Sequence, residues 1–332
     1  MKKARLLNLE LLRILCIFSI IIGHLGYNGK IALPQLYAAI APFDVNCFYI
    51  ISGYFLITSK FKAERLVRTM AMTIFYSFAI TLILYYYDKA SLTDLAKSII
   101  PFAPTKFSYW FVNKYLAVIL LSPFICLVCT NISKTQYRIL LINLLLISSV
   151  LLPIFPLGNL FGNSSSFLWT VTLFITGGYF KLHQNNFKHW GYATILLLAL
   201  YNICFIYQND YISIKNNSLI TYALSITTFM WFKKLQIPNT GSVAKATLFI
   251  APHVFAAYLI HAHVLARTGF VELLNYFNGY LPSIICLYIL GIAVIIFSAL
   301  IDKIRMLLFK YSGIDYITNK VSIIVNRIYE AN

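Results

Sequence analysis

The chain has 332 residues, 60% of them hydrophobic and only 11% charged, and its 27 Lys and Arg against 10 Asp and Glu give a formal net charge of +17. With a mean hydropathy of +0.77, this composition excludes a water-soluble globular domain, because so few polar groups cannot cover a fold of this length in water. It also argues against nucleic acid as a partner, since the cations are spread over short segments and form no single basic face.

Apolar runs near twenty residues recur, the length needed to cross roughly 30 Å of hydrocarbon at 1.5 Å per residue. Read between polar breaks, they predict ten transmembrane helices over 9–27, 37–58, 67–87, 113–130, 137–155, 167–182, 190–207, 217–234, 247–268 and 281–301. Lys and Arg then assign the sides. Nineteen fall on the side of the N-terminal segment, seven on the other, and Arg13 lies within a span. The expected fold is an all-α polytopic membrane protein with both termini cytoplasmic. Long polar stretches are confined to 88–112 and the segment after 302. A single membrane-embedded domain over 1–310 is therefore expected, with a cytoplasmic or interfacial tail over 311–332. The six Cys nearly all fall within predicted spans and read as small apolar residues. Cys126 and Cys129 lack the further ligands a metal site requires, so no metal is expected.

Taken in chain order, the first run, Leu6 to Tyr27, follows Lys2, Lys3 and Arg5 but is interrupted by Glu10 and Arg13, and reads as a retained helix rather than a cleaved leader. Ionisable groups within a span are costly and point to function by default. Arg13 and His24 lie eleven residues apart, which on a helix returns to within roughly 20° of one direction about 16 Å along the axis. Glu10 stands at pairing distance in sequence from Arg13. A plainer alternative lets Arg13 and Glu10 reach the cytoplasmic surface and His24 the outer headgroups. In the second span Phe48 to Tyr54 follows Asp44 and Asn46, and Ser52 with Gly53 reads as a notch for close helix packing. Trp110 and Phe111 enter the fourth span as aromatic anchors at the membrane border. The ninth span carries Tyr258-Leu259-Ile260-His261-Ala262-His263, two histidines in an apolar helix, with His253 shortly before.

In this order the elements resemble the acyltransferase-3 family of membrane-bound O-acyltransferases. The resemblance rests on Arg13 and His24 with ten residues between them, on Phe48 to Tyr54 with Tyr49 substituted, and on Tyr109 to Phe111. Gly177-Gly178-Tyr179, Tyr258 to His261 and Ile301 to Arg305 complete it. Two positions depart from the family pattern: Asn46, with Asp44 a turn away, stands where an acidic residue is common, and Ala262 where Asp is common.

The resemblance implies transfer of an acetyl or other acyl group from acetyl-CoA to a hydroxyl of a cell-surface glycan, such as a capsular polysaccharide, or of its lipid-linked precursor. It places the protein in the cell membrane of a bacterium, among membrane lipids. By this reading His24 is the catalytic base or a covalent acyl carrier, Arg13 and His261 act with it, and Arg13, Arg65 and Arg68 meet the acyl-CoA phosphates. Ser52, Tyr54, Trp110, Tyr258 and Asp44 line the substrate pocket. Acetyl-CoA enters as a donor substrate, and no permanently bound cofactor is expected. Two competing functions share these features: a transporter or exporter of a glycan or small acid, and a non-catalytic component of glycan assembly. The absence of an internal repeat argues against the transporter.

Overall fold

The apolar runs fold as helices, and no strand forms among the described residues. A computed structural model describes residues 6–28, 42–103, 105–151, 166–183, 187–207, 216–276 and 280–330. Lys2, Lys3, Arg5, Lys30, Lys215 and the stretches 37–41 and 152–155 of two expected spans lie outside them. In chain order the helices are α1 (Leu7–Asn28), α2 (Asp44–Leu56), α3 (Ala63–Tyr86), α4 (Leu92–Ser98), α5 (Trp110–Asn131), α6 (Lys134–Leu145), which continues as a π-helical turn (Leu146–Leu151), and α7 (Phe167–Leu182). There follow α8 (Trp190–Ile206), α9 (Leu219–Lys234), α10 (Ser242–Ile250), α11 (Val254–Ala262), α12 (Val264–Tyr276), α13 (Tyr280–Tyr311) and α14 (Ile314–Glu330). Among the described residues, five stretches suffice by length and composition to cross a membrane: Leu7–Tyr27, Ala63–Tyr86, Trp110–Asn131, Ser242–Ala262 and Ser283–Tyr311.

The ninth expected span, 247–268, is not one helix. Pro252 lacks the N–H that an α-helix would use and sits in a 3₁₀ turn, Ala251–His253, ahead of α11. His263 then turns to extended backbone (φ −62°, ψ 124°) and ends α11. The two histidines therefore do not share a helix: His261 belongs to the last turn of α11, and His263 precedes α12.

The chain packs as two units, each drawn from separate stretches of sequence. The first comprises Met1–Ser19, Leu33–Lys60 and Leu120–Thr247. Within it α2 and α7 pack backbone to backbone. A Cβ on Gly53 would stand 1.8 Å from the Phe174 carbonyl oxygen, and one on Gly177 would stand 1.9 Å from that of Ile50, so only glycine permits this approach. Asn46, buried in α2, joins neighbouring segments: its Nδ2 donates to the Asn216 carbonyl (2.9 Å) and its Oδ1 accepts from Trp169 Nε1 (3.1 Å). At the C-terminal end of α9, where helix carbonyls lack partners, Asn8 Nδ2 donates to the carbonyls of Lys233 (3.0 Å) and Leu235 (3.2 Å).

The second unit comprises Ile20–Ala32, Phe61–Ile119 and Leu248–Asn332. Here α14 packs on α3, with its Thr318 and Ser322 buried while Ile317, Val321, Ile324 and Ile328 face outward. Asn326 Oδ1 accepts from the Ala63 N–H (2.9 Å) and so caps the start of α3 from outside that helix. Residues 88–112, polar in sequence, contain α4. Ser91 and Asp94 form a capping box at its start, and Lys106 pairs with Asp94 at 2.7 Å. That hydrogen bond from Lys106 holds the Asp94 carboxyl below the usual carboxylate range.

Candidate functional site

His24, near the end of α1, and His261 both belong to the second unit. His24 Nδ1 lies 3.1 Å from His261 Nε2, with ring centroids 5.2 Å apart. His261 is fully buried, and its Nδ1 lies 2.7 Å from the carbonyl oxygen of Ala257, one turn earlier in α11. A carbonyl only accepts, so this nitrogen carries the proton. Neutral His261 then presents a lone pair at Nε2, and His24 donates its Nδ1–H to it. The remaining lone pair of neutral His24 is therefore on Nε2. A backbone carbonyl sets the tautomer of one imidazole, and that imidazole sets the tautomer of the next.

Aromatic rings fix the inner histidine. Tyr258 meets His261 edge-on, with centroids 5.8 Å apart, and is itself contacted by Phe111 (5.3 Å) and Tyr109 (6.1 Å). Buried Tyr109 donates its hydroxyl to the Leu259 carbonyl at 3.1 Å, tying the segment before α5 to α11. The guanidinium of Arg267, in α12, supplies positive charge that acts on both histidines.

His263 has a different occupation. Its Nδ1 accepts from the Ala266 N–H (3.4 Å), which caps α12. Its Nε2 then donates to Thr81 Oγ1 (3.1 Å), whose own proton goes to the Ser77 carbonyl (2.7 Å). His253, at the entry to α11, joins a third arrangement around the buried carboxylate of Asp302. One oxygen pairs with His253 Nδ1 (2.7 Å), and the other accepts from Arg305 Nε (2.6 Å) and the Tyr76 hydroxyl (2.8 Å). Three elements, α3, α13 and the turn that opens α11, are thus held on one carboxylate.

A family model described as an acyltransferase domain matches residues 6–301. The chain belongs to the acyltransferase-3 family. Comparison with curated proteins and with solved structures gave no match. Acyltransferase-3 membership brings acyl transfer as the general activity, and together with the five long apolar helices it makes this a multi-pass membrane protein.

Of the residues that the acyltransferase-3 resemblance singles out, His24, His261 and Tyr258 come together in the second unit. Trp110 is in the same unit but is 38% exposed, with the Lys114 ammonium 4.9 Å from its ring. Its neighbours Tyr109 and Phe111 make the contacts with Tyr258. Arg65 and Arg68 stand at the start of α3, where Arg68 pairs with Glu64 at 3.0 Å. The first unit holds the others. Arg13 pairs with Glu10 (3.0 Å). Asp44 accepts from the Val45 N–H and from Ser19 in the first turn of α2, where a carboxylate suits the helix dipole. Ser52 donates back to the Phe48 carbonyl of its own helix (2.8 Å). The Tyr54 ring has the ammonium groups of Lys181 and Lys233 within 5.0 Å of its centroid. Among the described residues no three His, Cys, Asp or Glu side chains gather as a metal would require. Reading the sequence missed Tyr109, Phe111, Arg267 and the Asp302 arrangement. Phe111 reads in the sequence as a membrane anchor beside Trp110, and Tyr109 to Phe111, like Ile301 to Arg305, carries the resemblance without a site role for Tyr109, Phe111, Asp302 or Arg305.

Proposed function

We propose that the protein is an O-acyltransferase of a bacterial cell membrane, with ten transmembrane helices and cytoplasmic termini. In this reading it moves an acetyl group from acetyl-CoA to a hydroxyl of a cell-surface polysaccharide or its lipid-linked precursor. The observation that carries it is the relay from the Ala257 carbonyl through His261 to His24, which leaves a lone pair on His24 Nε2. A nitrogen so oriented suits a general base, a role worth typically 10²–10⁴-fold.

His24 takes the proton of the acceptor hydroxyl as that oxygen bonds to the thioester carbonyl carbon. When the tetrahedral intermediate collapses, the C–S bond breaks and the imidazolium returns the proton to the departing thiolate, so the histidine ends as it began. His261 is a positioning residue that holds His24 in the tautomer this requires. The positive charge of Arg267 is suited to the oxyanion that develops on the thioester carbonyl. Tyr258 lines the acceptor side, and Arg13, Arg65 and Arg68 serve the donor phosphates, each assignment testable by its own alanine variant.

The test measures label passing from acetyl-labelled acetyl-CoA into glycan in membranes carrying wild type, His24→Ala or His261→Ala. Wild-type labelling with a loss of about 10²-fold or more in His24→Ala supports the proposal. Undiminished transfer by His24→Ala refutes the role of the base. Glycan movement across the membrane without any labelling by wild type favours a transporter.

A further inference from the structure

In the first unit two lysines converge on one buried tyrosine. Because Gly53 and Gly177 let α2 and α7 meet without intervening side chains, Tyr54, the next residue of α2, lies beneath the end of α7. Lys181, one turn beyond Gly177, places Nζ 4.9 Å from the Tyr54 ring centroid. From the last turn of α9, Lys233 places Nζ 5.0 Å from the same centroid and donates to the Phe180 carbonyl at 3.3 Å. The two charges are therefore no more than about 10 Å apart, the sum of those distances. Asn8 fixes the helix end from which Lys233 projects.

No described carboxylate pairs with either lysine. In this unit Glu10 is taken by Arg13, and Asp44 lies at the opposite end of α2 from Tyr54. A cation in the last turn of a helix offsets its dipole, which accounts for each lysine singly. It does not account for two ammonium groups turned onto one ring, where they repel each other and where Lys233 is partly withdrawn from water. A dianion resolves both costs. We infer that Lys181, Lys233 and Tyr54 form a phosphoryl-binding site, in which the ammonium groups hold the oxygens and the aromatic ring fixes the lysines' approach. Compact ammonium charges with rotatable donors suit phosphate as point charges. The phosphoryl group comes from the nucleotide end of coenzyme A or from a phospholipid headgroup. The coenzyme A source rests on the acyl-transfer reading, whereas the site itself does not.

The experiment uses the full chain in nanodiscs of phosphatidylcholine. Binding of coenzyme A and of inorganic pyrophosphate is compared between wild type, the double variant Lys181→Gln/Lys233→Gln and the charge-preserving Lys181→Arg/Lys233→Arg. A loss of about tenfold or more in the Gln pair, with binding kept in the Arg pair, is the expected result. In parallel, phosphatidylglycerol retained through purification is quantified. If it alone depends on the lysines, the site stands with lipid as the source. Labelling of wild-type Lys181 and Lys233 by an amine-reactive reagent, read by mass spectrometry with and without each probe, covers the case of a Gln pair that does not fold. Coenzyme A, pyrophosphate and phosphatidylglycerol that neither protect the lysines nor depend on them overturn the inference. Probe binding is expected to persist in His24→Ala, so failure of the site and failure of the catalytic reading are told apart.

Discussion

Three histidines lie within eleven residues of sequence, and each has a different task. His261 orients His24, His263 caps α12, and His253 pairs with Asp302. Composition and spacing mark all three alike as costly groups in an apolar segment, and only the hydrogen-bond partners separate them. The Asp302 carboxylate is the most demanding of these arrangements, because it is almost wholly buried and accepts from three groups. Asp302→Asn leaves the Arg305 guanidinium in a buried position without its counter-charge, and such a change costs about 3–5 kcal/mol. Tyr76→Phe removes one hydrogen bond and costs about 1 kcal/mol. Thermal unfolding in detergent is expected to rank wild type above Tyr76→Phe, and Tyr76→Phe well above Asp302→Asn. Equal midpoints for the two variants would show that the charge is not what holds these elements together. Asp302 was legible only as part of a resemblance, because its partners Tyr76 and His253 are 226 and 49 residues away in sequence.

Among the elements, the second helix shows how much a local pattern can carry. Ser52 and Gly53 read as a packing notch, and the structure gives the notch a partner in Gly177 of α7. Neither residue discloses the other, since small residues in apolar helices carry no address. Gly53→Ala or Gly177→Ala pushes a methyl group into a backbone carbonyl, which no rotamer change relieves. Each is expected to lower stability by about 1–3 kcal/mol or more, as overpacking does, and to do so even though alanine is the better helix former. Retained thermal stability in both variants would mean that α2 and α7 separate at little cost. The end of α11 teaches the converse. A continuous apolar run over 247–268 hides a proline-led 3₁₀ turn and a break at His263. Hydropathy averages over both, although Pro252 was a visible signal. The capped helix α4 was equally visible in Ser91-Leu92-Thr93-Asp94, within a stretch whose polarity suggested only a loop.

For the whole molecule the open quantity is the number of crossings. Ten apolar runs are present in the sequence, whereas among the described residues five stretches satisfy length and composition. Within the described residues α7 falls short because it is brief: it has 16 residues, about 24 Å at 1.5 Å per residue, less than a hydrocarbon layer of roughly 30 Å. The distribution of charge decides between the alternatives. An odd number of crossings at the five long stretches alone would put the basic segments at Lys134 and Arg138, at Lys181 and Lys188, at Lys233 and Lys234 and after Lys303 across the membrane from the N-terminal segment. That reverses the bias that orients membrane proteins. Ten crossings put all of them on its side, so the shorter helices are expected to cross too, with a locally thinned bilayer meeting them. Reporter fusions separate the two topologies at every informative position. With ten crossings, alkaline phosphatase joined after Lys89 is active and joined after Lys134 or Lys188 is inactive, while a fluorescent protein joined at the C-terminus matures. With five, each of these results inverts. Phosphatase activity at Lys134 together with a dark C-terminal fusion would therefore refute the ten-helix topology and leave the charge bias unexplained.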